Sequence, residues 1–189
     1  REQGVEPLAL LSHMARLGSS ENVELMHSMQ DLIDGFDLTS FGAAPTKFDV
    51  ADLFPITGRY LAAQEYAAVS DSIAALGVPA DKGEAFWETI HGNITTRHDL
   101  ADWWALCRDG AEPVIADEDR EFIAAAMALL PDAPHTDATW GEWTGAVKAA
   151  TGRKGKGLFQ PLRRALTGQD AGPVMAKLLP LLQVIKAKG

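Results

Sequence analysis

Thr151-Gly-Arg-Lys-Gly-Lys-Gly-Leu-Phe-Gln-Pro-Leu-Arg-Arg-Ala-Leu-Thr-Gly168, followed by Gly172-Pro173, is the stretch on which the reading of this chain turns. Its first part alternates glycines with Arg153, Lys154 and Lys156, a flexible basic loop. From Leu158 to Leu166 the apolar residues fall at helical spacing, and Gly168 suits the left-handed residue that ends a helix. After a tight turn, Pro173 suits the first turn of a further helix running toward Lys186. Pro180, inside that stretch, removes a backbone donor and should kink or split it.

Working outward, the same punctuation recurs. Pro7 to Leu17 reads as a helix closed by Gly18, and Glu21 to Ile33 as an amphipathic helix with Val23, Met26 and Ile33 on one face. Gly35 to Lys47 is a loop rich in Gly, Pro, Ser and Thr. Asp49 is placed to cap a short helix through Leu53. Tyr66 to Leu76, ended by Gly77, and Lys82 to His91, ended by Gly92-Asn93, form a pair. Thr96-Arg97-His98-Asp99 and Thr139-Trp140-Gly141-Glu142 both fit a capping box, the first with aspartate in place of glutamate. They open helices through Trp103-Trp104 and to Thr151-Gly152. Between them Asp117 to Leu130 is a helix stopped by Pro131. Strand alternation is sustained nowhere, so the expected class is all-α.

The 189 residues carry a formal charge of −9, which argues against a polyanionic partner until its distribution is seen. Gly145 to Gly189 hold nine basic residues and a single acid, Asp170, whereas the rest of the chain has 25 acids and 8 bases. Two readings stand on charge alone: a basic end that orients an anionic ligand, or a solvated lysine-rich terminus. No run of apolar residues is long enough to span a bilayer. Arg1-Glu2-Gln3-Gly4 has no secretory pattern, and cytoplasmic residence is the simple expectation.

Chemistry-bearing motifs are missing. There is no Gly-rich phosphate loop after a strand, no HExxH, no GxSxG and no paired CxxC. His13, His27, His91, His98 and His135 stand singly, without ligand spacing. Asp117, Glu118 and Asp119 read as charges that complement a helix N-terminus. The lone Cys107 reads as a buried packing thiol. Trp103, Trp104, Trp140 and Trp143 read as core, with base stacking the alternative. No catalytic or metal residue is expected in this chain.

The opening stretch resembles the C-terminal signature of bacterial-type glutamyl-tRNA synthetases, in which a GRKGK-type loop precedes LF-x-PLR-x-ALTG and then a GP-type helix start. Gly4-Val5-Glu6-Pro7-Leu8-Ala9-Leu10-Leu11, Phe48-Asp49, Gly92-Asn93-Ile94-Thr95 through Trp104, and Ala128 to Pro131 are similar to other parts of that family's pattern. The likeness therefore covers essentially the whole chain. It implies a stem-contact helical bundle over residues 1–65 and two helical anticodon-binding domains over 66–109 and 110–189. It also implies that the family's catalytic domain, with its ATP and Mg chemistry, is absent from this chain, which itself needs no cofactor. Residue by residue, the PLR arginine that contacts the anticodon falls on Arg163. The contacts after ALTG fall on Gly172, Pro173 and Met175, with Val174 replacing the usual acid. Asn93 falls where the family often has an arginine that monitors the third anticodon base; an asparagine after Gly92 is equally a cap or turn residue. Arg153, Lys154, Lys156 and Arg164 would meet the RNA backbone. The implied partner is tRNAGlu, tRNAGln being a second candidate, bound by a monomer that touches no membrane. Two rivals remain at this stage: a stand-alone helical RNA-binding paralogue, and a protein-interaction scaffold without synthetase function.

Overall fold

Where a cap, an apolar stripe and a glycine stop coincide in this sequence, a helix forms. The computed structural model describes residues 2–20, 22–43 and 45–188. Among them the only strand-like pairing is an isolated antiparallel bridge between Ser19 and Phe41, so the chain is all-α as expected. It divides into two compact units, one of residues 1–69 and 91–100, the other of 70–90 and 101–189.

The first unit contains α1 (Pro7–Met14), α2 (Met29–Asp34) and α3 (Leu53–Ala62). Ala9, Leu32, Leu53, Ile56 and Leu61 are buried in its core. A polar tie runs beside that core: the Glu6 N–H donates to Thr57 Oγ1 at 3.4 Å, and Arg97 Nε donates to Glu6 Oε1 at 2.6 Å. The helix expected from Glu21 to Ile33 forms only in its last part. Glu21 lies outside the described residues, and residues 22–28 are non-helical. Two hydroxyls account for the difference. The Met26 N–H donates to Ser12 Oγ at 3.0 Å, which withdraws it from any helical ladder. Ser28 is extended, and its side chain accepts the Asp31 N–H at 3.1 Å, so the helix starts there. Beyond Leu53 the opposite happens. Asp49 caps the turn Val50–Asp52 as expected, but α3 then continues to Ala62 despite Pro55. Proline is harmless in a first turn, where its missing N–H has no intrahelical partner to lose.

The second unit begins with α4 (Ser70–Ala75) and α5 (Gly83–Ile90) and takes in most of α6 (Asp99–Asp109). It continues through α7 (Arg120–Ala128), α8 (Thr139–Thr151), α9 (Lys156–Thr167) and α10 (Met175–Leu178). Phe86, Trp87, Trp104, Cys107, Trp143, Val147, Leu162 and Leu178 are buried there. Trp143 donates its indole N–H to the Ala126 carbonyl at 2.8 Å, which offsets the cost of burying that polar atom. At the start of α6 the capping carboxylate behaves as expected: Asp99 Oδ2 accepts the N–H groups of Thr95 and Thr96 at 2.6 and 3.0 Å. The box expected at Thr139 does not form. Its hydroxyl instead accepts the Thr136 N–H at 2.8 Å, and the helix begins at Thr139 itself. Pro180 splits the last stretch, leaving α10 and a 3₁₀ turn, Leu179–Leu181.

Candidate functional site

Helix α9 supplies the chemistry, and its own spacing decides which side chains do so. Leu158, Leu162, Ala165 and Leu166 face the core. Phe159 and Arg163, four residues apart, share the next face around the helix. Phe159 is 45% exposed, while Arg163 is half-buried. Together with Trp140, Val174 and Met175 they line a shallow groove of about 370 Å³. Trp140 and Phe159 stand with ring centroids 6.3 Å apart and planes tilted by 34°, two flat walls of one trough. Met175 is buried at 4% exposure and Val174 is 68% exposed at the lip.

Arg163 sits among these apolar surfaces with one hand tied. Its Nη2 donates to the Pro173 carbonyl at 2.9 Å. Its Nη1 is buried and has no hydrogen-bond partner. Desolvation pulls its pKa below the ordinary arginine value, yet guanidinium stays charged at any working pH. A buried, unpaired N–H of a cation is costly unless something accepts from it. The groove residues include no carboxylate to do so. Gly172 shapes the same spot. Its φ is +149°, and a Cβ there would stand 3.0 Å from Trp103 Cη2 and 3.3 Å from Arg163 Nη1.

The structure thus brings Arg163, Gly172, Pro173 and Met175 together. Asn93 is not among them: it is exposed, the last residue of a 3₁₀ turn, His91–Asn93, that follows α5, and it belongs to the first unit. Trp140 and Phe159 also line the groove; from the sequence Trp140 reads as core with base stacking the alternative, and Phe159 is not singled out. The i,i+3 relation puts Trp140 and Trp143 on one flank of the helix, and the fold decides between them. Trp143 is buried at 2% and Trp140 is left at the edge.

The basic end is less open than its composition suggests. Five of its nine cations pair with carboxylates: Arg153 with Asp119, Arg164 with Asp170, Lys177 with Asp137, Lys186 with Glu112 and Lys188 with Asp132. Among the described residues Lys148, Lys154, Lys156 and Arg163 have no ion-pair partner. The Arg164 pair holds Asp170 below its usual carboxylate range. Net free positive charge is therefore concentrated on and just before α9, beside the groove.

Cys107 lies apart from this chemistry. It is fully buried, and desolvation pushes its thiol up to about 12. At pH 8 only roughly one such thiol in ten thousand is ionised. Iodoacetamide should therefore leave the native chain unlabelled at pH 8 and modify it rapidly in denaturant. Fast labelling of the native chain would mean that the packing around α6 opens. Among the described residues no group of three His, Cys, Asp or Glu side chains could hold a metal ion, and no helix is long and apolar enough to cross a membrane.

No family model matches the chain. It is similar along its whole length to curated proteins, among them a glutamate–tRNA ligase of Ruegeria pomeroyi, 66% identical over 189 residues. That match covers 100% of this chain and 43% of the relative, so the chain spans less than half the relative's length. A glutamate–tRNA ligase of a Jannaschia species is 60% identical over 184 residues, which are 97% of this chain and 41% of that protein. Among solved structures, a glutamate-tRNA synthetase from Elizabethkingia anophelis superposes with a TM-score of 0.69 at 21% identity, over 96% of this chain and 39% of that one. A glutamate tRNA ligase from Elizabethkingia meningosepticum, in complex with its amino acid, gives 0.71 at 20% identity over 100% of this chain and 40% of that one. At such identities the superpositions speak for the fold alone.

Proposed function

This chain belongs with the C-terminal region of the bacterial glutamate–tRNA ligases, and from that premise we propose that it reads the anticodon of a tRNA. On this reading the substrate is tRNAGlu, with tRNAGln a second candidate, and a monomer binds it. On the same reading ATP and Mg would act in the catalytic part of such ligases, outside these residues. The division at residues 65 and 109 into a stem-contact part and two anticodon-binding parts belongs to the same proposal.

The observation that carries the reading is the unpaired Arg163 Nη1 in an aromatic and aliphatic groove. An unpaired nucleobase offers what would complement that groove: a flat face to lie against its aromatic walls and an edge acceptor for the guanidinium. Stacking against Trp140 or Phe159 would supply the first contact and Arg163 Nη1 the second. Pro173 holds the guanidinium through Nη2, which fixes its plane before any ligand arrives. Lys154 and Lys156, exposed and without ion pairs, would meet phosphates beside the groove. Asn93 remains part of the proposal as a separate contact from the first unit. Arg164 does too, once the ligand competes with Asp170 for its guanidinium.

A binding titration tests this. The chain should bind tRNA, and should bind an anticodon stem-loop more tightly than one with altered anticodon bases. Lys154→Ala with Lys156→Ala should weaken all loops alike and flatten the salt dependence by about 0.7 for each phosphate ligand removed. A chain that binds no tRNA favours a protein-interaction scaffold. Binding without any preference among anticodons favours a general RNA-binding role.

A further inference from the structure

A cation and a proline near the start of α9 fit together in a way that the charge pattern alone misassigns. In an unbroken α-helix the N–H of residue 161 would donate to the carbonyl of residue 157. Pro161 has no N–H, so the Gly157 carbonyl is left without its helical donor. The N-terminus of α9 also has no side-chain cap, because the preceding residue is Gly155, at φ +57°. Arg153 supplies a donor to the Gly157 carbonyl. Its Nη1 donates to the Gly157 carbonyl at 3.4 Å and bonds Asp119 Oδ1, while Nη2 reaches the Glu118 carbonyl at 3.5 Å. The guanidinium carbon lies 4.0 Å from the centroid of the Phe122 ring, and Phe122 is 6% exposed.

We propose that Arg153 is a positioning residue of the anticodon groove: it takes up the carbonyl orphaned by Pro161 and fixes the start of α9 to Asp119 and Phe122. This rests on the reading of the groove given above. It replaces, for Arg153, the phosphate contact that the basic loop suggests, and leaves that role to Lys154 and Lys156. One planar fork serves the loop before α9, the turn before α7 and the first turn of α9. A lysine point charge would not span the same acceptors while stacking on the ring. The consequence lies further along the helix. Phe159 and Arg163 follow Gly157 by two and six residues, so a rotation at the start of α9 would turn both relative to Trp140 and Met175.

The geometry predicts a coupling that needs no RNA to measure. Denaturant unfolding of the 189-residue chain is compared for the parent, Arg153→Ala, Pro161→Ala and the double variant. Pro161→Ala restores an N–H for Gly157, so removing Arg153 should destabilise the Pro161→Ala chain less than it destabilises the parent. Equal losses in the two backgrounds would overturn the proposal. Should Arg153→Ala not fold, Arg153→Lys carries the same cycle. The second readout is binding to matched and altered anticodon stem-loops across salt concentrations. Arg153→Ala and Arg153→Lys should both reduce selectivity, on the order of tenfold, with the salt slope unchanged. A slope lowered as much as by Lys154→Ala, or full selectivity in Arg153→Lys, would return Arg153 to the phosphate-binding set. If the parent itself lacks selectivity, the anticodon reading fails, while the unfolding cycle still decides the contact between Arg153 and Gly157.

Discussion

Arg163→Lys should lose about as much affinity for a matched anticodon stem-loop as Arg163→Ala, about 1–3 kcal/mol in either case. The expectation follows from how the side chain is held. One nitrogen is committed to the Pro173 carbonyl and the other is buried without a partner. A lysine has one nitrogen on a flexible stem. It would satisfy either the carbonyl or the ligand, but not both in a fixed plane. General attraction to RNA makes the opposite prediction, since lysine keeps the charge. Selectivity separates the two further: if Arg163 hydrogen-bonds a base edge, Arg163→Lys should shrink the gap between matched and altered loops. Arg164 is the internal control. It lies about 100° around the helix from Arg163 and pairs with Asp170 away from the groove residues. Arg164→Ala should therefore cost less and leave selectivity in place. If Arg163→Lys binds as tightly and as selectively as the parent, or Arg164→Ala alone carries the loss, the groove does not read bases.

Much of this arrangement is legible in the sequence, and the parts that are not share a cause. The helix read from Leu158 to Leu166, its stop at Gly168 and the split at Pro180 follow from local rules about glycine, proline and apolar spacing, although the helix begins earlier, at Lys156. So does the cap at Asp49. The losses come from long-range partners that no local window contains. Ser12 takes the Met26 N–H from fourteen residues away and helps shorten α2. Asp119 and Phe122 engage Arg153 across more than thirty residues, contacts that the basic loop by itself does not show. Charge counting errs in the same direction: it finds the basic end correctly but does not see that five of its cations meet carboxylates in the folded chain. Within the groove, Arg163 is found through the resemblance to a motif. Phe159 is within reach of simple spacing, four residues before it on the same helix. Trp140 needs the fold, because only the burial of Trp143 shows which of the two indoles is left at the surface.

Gly172→Ala should combine a loss of stability with a loss of base selectivity, because one added methyl would meet both a buried tryptophan and the groove arginine. At φ +149° the backbone lies in a region that side chains rarely adopt, which by itself costs about 1–3 kcal/mol. The added methyl would also stand 3.0 Å from Trp103 Cη2 and 3.3 Å from Arg163 Nη1. Trp103 is buried at 8% exposure and has little room to retreat, so overpacking adds about 1–3 kcal/mol. For a chain of this size each kcal/mol corresponds to about 2–4 °C in Tm, so a clear drop is expected in a thermal scan. Relaxation that moves the guanidinium to relieve the clash displaces the side chain held at the groove by Pro173. Selectivity among anticodon loops should then fall while the salt slope holds, since no phosphate ligand is touched. Gly157→Ala is the matched control. It lies in the first turn of α9, nothing stands within 4 Å of its Cβ position, and alanine favours helix over glycine. That variant should be as stable as the parent or more so, with its binding intact. Were Gly172→Ala to match the parent in Tm and in selectivity, the turn before α10 would have to be looser than its geometry, and Arg163 less tightly aimed than the groove requires.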